Sequence, residues 1–67
     1  MPAAAEGPAD LVQKLRHDLA NPLAAVLAET QLLLLAPELL NAETLAGLKQ
    51  IETLARRMRQ ILQDVAA

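Results

Sequence analysis

Leu48-Lys49-Gln50-Ile51-Glu52-Thr53-Leu54-Ala55-Arg56-Arg57-Met58-Arg59-Gln60-Ile61-Leu62-Gln63-Asp64-Val65 is the stretch that decides the fold. Leu48, Ile51, Ala55, Met58, Leu62 and Val65 alternate steps of three and four residues, the a/d seam of a heptad helix. Leu54 and Ile61 widen that seam. A widened seam suits a helix inside a bundle better than a two-stranded zipper, which needs only the narrow stripe. The pattern predicts a helix from about residue 42 to residue 66.

Moving toward the N-terminus, residues 36–41 read as a connection. Pro37 disfavours helical backbone at Ala36. Asn41 is a good N-cap, with Glu43 and Thr44 in the turn that follows. A second helical pattern occupies about residues 9–35. At about 100° per residue, Val12, Leu15, Leu19, Leu23, Val26, Thr30, Leu33 and Leu34 fall in one sector. Pro8 suits a first turn, where its missing N–H has no partner in any case. Asp10 there favours the helix dipole. Residues 1–8 read as a disordered leader, with residues 9–67 forming the single domain.

Composition points the same way. Fourteen Ala and fifteen Leu dominate the 67 residues, Val and Ile together number five, and Phe, Tyr, Trp and Cys are absent. Ala and Leu favour helix, whereas sheets favour the β-branched and aromatic residues that are scarce here. A chain of this length buries only about 60% of its unfolded surface. With no Cys for disulfides and one His, neither a disulfide framework nor a metal site completes the core. A partner chain remains. The expectation is an all-α protein, an antiparallel helical hairpin that dimerises with a second copy into a four-helix bundle. A net charge of −2 provides no basic field for nucleic acid. No apolar run approaches the roughly 20 residues that cross a bilayer.

The first helix also breaks a rule. Pro22, inside the pattern, removes one hydrogen bond and clashes with the carbonyl of Asp18, a loss of about 3 kcal/mol. Breaks of this kind concentrate at functional sites. His17 points almost opposite the Val12–Leu19–Val26 stripe, and Asn21 stands one turn further on the same face. Lys14 lies on that side too, while Ala20, Ala24 and Ala28 leave space nearby. An exposed neutral imidazole is a nucleophile. A carboxylate such as Asp18 can orient the ring or take its proton, although at about 100° around the helix it does not face His17 squarely. An amide can position a water or a phosphate oxygen. Spacing alone leaves these roles open. The plain alternatives are a solvated surface His, a neutral surface amide and a solubilising carboxylate. Arg56, Arg57 and Arg59 read as a solvated face pairing with Glu52 or Asp64.

His17-Asp18-Leu19-Ala20-Asn21-Pro22-Leu23 resembles the H-box of sensor histidine kinases: His, Glu or Asp, Leu, any residue, Thr or Asn, Pro, Leu. All six constrained positions match. Arg57-Met58, Ile61-Leu62, Asp64 and Val65 resemble the same family's closing stretch, and the similarity runs from Leu11 to Val65. The family segment is the dimerisation and histidine phosphotransfer domain. The resemblance implies His17 as phosphoacceptor, taking the γ-phosphoryl of ATP and passing it to an Asp on a response-regulator receiver domain. It implies Asp18 as the acidic neighbour that activates or orients His17. Asn21 would match the position tied to dephosphorylation of the regulator, and Pro22 would permit a helix bend. Leu19 and Leu23 would be core.

Arg16 departs from the family, which more often has a small residue there; it would add a phosphate contact or alter regulator docking. No Gly-rich ATP lid or Asn-bearing nucleotide box is present, so this chain should hold no cofactor and should not be active alone. ATP and Mg would be bound by a separate catalytic domain, and the segment would be cytoplasmic whether or not its parent is membrane-anchored. Two other readings stay open: a purely structural helical dimerisation module, and a phosphorelay intermediate that is not fed by ATP.

Overall fold

The computed structural model describes residues 7–65. Helix α1 spans Pro8–Leu33 and helix α2 spans Ala42–Val65, with one 3₁₀ turn, Pro37–Leu39, between them. No strand occurs among the described residues, and α1 and α2 pack on each other as a hairpin. Met1–Glu6 of the expected leader lie outside the described residues, as do Ala66 and Ala67 at the other end.

Local chemistry explains where the helices begin and end. The Gly7 carbonyl accepts from the N–H groups of Asp10 and Leu11 at 3.1 and 3.2 Å, so α1 starts at Pro8 without a side-chain cap. At the other end the Leu35 N–H donates to the Leu32 carbonyl at 3.2 Å, a tightening that closes the last turn. Ala36 then leaves helical space, at φ −124° and ψ 68°, because Pro37 follows it. The helix therefore closes at Leu33, two residues before the expected limit of 35. The Leu39 and Leu40 N–H groups bond back to Ala36 and Pro37, both at 3.1 Å, and make the 3₁₀ turn. Asn41 caps α2: its Oδ1 accepts the Thr44 N–H at 2.7 Å, and its carbonyl accepts the Leu45 N–H at 3.0 Å.

The core is small. Leu23 and Leu27 of α1 and Ala55 of α2 are buried, and Leu62 packs against them half-exposed. Thr30 is the buried polar residue, and its hydroxyl is satisfied by donating to the Val26 carbonyl at 2.7 Å. Leu27 lies outside the sector expected from the sequence, while Leu19, expected as core, is 53% exposed. The heptad of α2 divides in the same way. Leu48, Ala55 and Leu62 are turned toward α1, whereas Ile51, Met58 and Val65 are exposed with Leu54 and Ile61. Among the described residues thirteen large apolar side chains are exposed, against two that are buried, Leu23 and Leu27. A single hairpin leaves most of its apolar sector uncovered.

Candidate functional site

His17 sits near the middle of α1, held by the regular backbone on both sides. Pro22, one turn and a half later, lies within that helix, which continues to Leu33. Because Pro has no N–H, the carbonyl of Asp18 has no donor four residues on. Helical spacing places His17, Ala20, Asn21, Ala24 and Ala28 along one side of α1, and these residues line an open groove of ≈590 Å³. Alanines at three of the five positions keep it open. Leu23, Leu27 and Leu62 form its floor, and Arg16, Arg59 and Gln63 add polar atoms at its rim.

His17 is well placed to react with something large. Its side chain is 75% exposed, and Asp18 beside it is 58% exposed. His17 Nδ1 and Asp18 Oδ1 are 3.8 Å apart, beyond hydrogen-bond range. Asp18 is thus near the ring without engaging it, in line with its offset around the helix. Asn21 shares the groove with His17, whereas Asp18 is not among the groove's lining residues and Pro22 lines a different surface. That second surface is a groove of ≈480 Å³ bounded by Leu19, Pro22, Leu23, Val26, Met58, Ile61 and Leu62. Every one of these residues is apolar. The hairpin carries a mixed groove on one flank and an apolar one on another, with Leu23 and Leu62 common to both.

The three arginines of α2 separate. Arg56 Nη2 meets Glu52 Oε2 at 3.4 Å, as the solvated-face reading expects. Asp64 is instead bonded by Gln60 Nε2 at 2.9 Å. Arg59 joins the groove that holds His17. Sequence reasoning grouped Arg59 with its neighbours and missed this placement. The available signal was its spacing, four residues after Ala55 and three before Leu62, which turns it toward α1. No group of three or more His, Cys, Asp or Glu residues suited to a metal ion occurs among the described residues.

A hairpin of two long helices, with an exposed His at the mouth of a groove and an uncovered apolar flank, agrees with one family. The model of the His kinase A (phospho-acceptor) domain matches residues 9–66. The chain belongs to this family. No curated protein and no solved structure matches it. As a His kinase A domain it is a phosphoacceptor and dimerisation module of histidine kinases, the sensors of two-component signalling. The match covers both helices and the connection, so it applies to the hairpin as a whole and not to the H-box alone.

Proposed function

We propose that His17 of this His kinase A domain accepts the γ-phosphoryl group of ATP from a separate ATP-binding domain and passes it to an Asp on a response-regulator receiver. The observation that carries this reading is the His17 imidazole, 75% exposed at the mouth of an open groove in a hairpin of the phosphoacceptor family. Asp18 selects the reacting nitrogen. A carboxylate on the Nδ1 side favours the tautomer with its proton on Nδ1, leaving the Nε2 lone pair free. The two groups stand 3.8 Å apart, so a hydrogen bond between them requires a change of rotamer. Nε2 then attacks the γ-phosphorus, the Nε2–P bond forms as the bond to the bridging oxygen breaks, and ADP leaves. The Nδ1 proton passes to Asp18 or to water. In the second transfer an Asp carboxylate oxygen of the regulator attacks the same phosphorus, and His17 is the leaving group.

Asn21, one turn beyond His17 and on the same groove, presents an amide that holds a water for attack on the phosphorylated regulator. Pro22 lets the helix bend locally, because the hydrogen bond it removes is the one that would resist bending. ATP and Mg belong to the catalytic domain, which is a partner of this chain. The second partner is another copy of the chain, which covers the apolar flank and completes a four-helix bundle. No helix of the described residues is long and apolar enough to cross a membrane. We place the module in the cytoplasm, where ATP and receiver domains meet it.

Incubation with ATP and a matching ATP-binding domain tests the reading. The native chain becomes labelled with a phosphate that is lost in acid and kept in alkali, and His17→Gln, folded by circular dichroism, takes none. Equal labelling of the two would refute it. Label that arrives from a phosphorylated receiver but never from ATP would make the chain a relay intermediate instead.

A further inference from the structure

The groove beside His17 has an unusual charge for this protein. The whole chain carries −2, yet the lining of the groove includes two arginines and no acidic residue. Asp18, next to His17 in the chain, is not part of the lining, Glu52 is paired with Arg56, and Asp64 accepts a hydrogen bond from Gln60. No ion pair engages Arg16 or Arg59 among the described residues. The two come from different helices, Arg16 directly before His17 on α1 and Arg59 from α2 across the groove. Gln63 and Asn21 add neutral hydrogen-bond donors on the same surface.

A neutral imidazole gains nothing from two guanidinium groups nearby. A phosphorylated one does, because the phosphoryl oxygens carry up to two negative charges and accept hydrogen bonds. Guanidinium matches that geometry with two parallel N–H donors. We propose that Arg16 and Arg59 close from the two helices on the phosphoryl group carried by His17 and hold its oxygens at the groove. They act as positioning residues for the phosphorylated state and stay idle in the unmodified one. The proposal rests on the phosphoacceptor reading of His17. It adds that the hairpin itself, without a second domain, recognises the product of the reaction.

The test separates the two claims by labelling the full chain chemically with potassium phosphoramidate. The Nε2 lone pair of His17 attacks phosphorus, the Nε2–P bond forms as the P–N bond of the reagent breaks, ammonia leaves, and the Nδ1 proton goes to solvent. His17 is the sole histidine, so the ³¹P signal of phosphohistidine reports this site alone. Its chemical shift is then followed against pH in the native chain and in Arg16→Gln, Arg59→Gln and Arg59→Lys. Removing a positive charge disfavours the dianion, so each Gln variant raises the midpoint by about 0.5 unit, the effect of one charge about 6 Å away in water. Arg59→Lys keeps the charge and restores most of the shift. Midpoints that coincide in all four labelled chains would overturn the clamp while leaving His17 as acceptor. A shift in only one Gln variant removes the other arginine from it. Failure of phosphoramidate to label His17 at all would sink both readings together.

Discussion

Replacing Ile61 by Glu should abolish the dimer while leaving the hairpin's helices formed. Ile61 borders the apolar groove with Leu19, Pro22, Val26 and Met58, and it is 52% exposed in the single hairpin. Completing its burial is worth about half of the 1.5–3 kcal/mol that a fully buried Ile contributes, so about 1 kcal/mol. A carboxylate at this point adds a desolvation penalty of roughly 1.5 kcal/mol or more. A two-fold interface presents the change twice. The loss is then about 5 kcal/mol per dimer, between three and four powers of ten in the dissociation constant. Glu has a higher helix propensity than Ile, so α2 itself is not broken. Sedimentation equilibrium from low to high micromolar concentration reads the outcome directly. The native chain should run at twice its 7.2 kDa mass, and Ile61→Glu at the monomer mass. Lys49→Glu serves as the control, because Lys49 is exposed nine residues before Met58, on the side of α2 opposite the apolar flank. A native chain that stays a folded monomer at high micromolar concentration, or an Ile61→Glu chain that still dimerises, would refute the assignment of this flank to a second copy.

Three further outcomes follow from the packing and the caps. Leu27→Ala empties one of the three buried apolar positions and should cost about 2–3 kcal/mol, the lower part of the range for such truncations because the core is thin; urea denaturation measures it. Asn41→Ala removes the acceptor of the 2.7 Å bond from the Thr44 N–H and should cost about 1 kcal/mol, read as a lowered Tm. Pro22→Ala restores a donor to the Asp18 carbonyl inside α1 and should stabilise the hairpin by up to about 3 kcal/mol, while slowing phosphoryl transfer from ATP if the bend is needed for access. A variant that is both more stable and equally fast would leave Pro22 without a role in the reaction.

The fold was legible wherever it depended on local chemistry. Asn41 reads as a cap because an amide three residues from a free N–H makes the same bond in any helix. Ala36 reads as a break because Pro37 constrains it from outside. The packing was legible only in part. Periodicity gives the direction in which α2 is apolar, but not which half of that sector its own partner helix covers. Ala55 and Leu62 went to α1, and Met58 and Ile61 went elsewhere. Leu27 was missed for the same reason: its place in the core depends on how far α1 is rotated against α2, a non-local quantity. At the site, His17 and Asn21 could be paired from a four-residue spacing within one helix. Arg59 could not be joined to them, because that requires the register between two helices joined by a turn whose geometry the sequence left open.

Leu23 and Leu62 border both grooves of the hairpin. The partition between the apolar flank, which we propose a second copy covers, and the flank bearing His17 is therefore a single layer of leucine side chains. Dense interiors transmit displacement instead of absorbing it. Any shift of a second copy against Met58 or Ile61 that forces Leu62 into another rotamer must alter the floor beneath His17 and Arg59. A hairpin with a thick core would insulate its chemistry from its assembly. This one has too little core to do so, and its phosphoacceptor face should sense strain applied to the subunit contact.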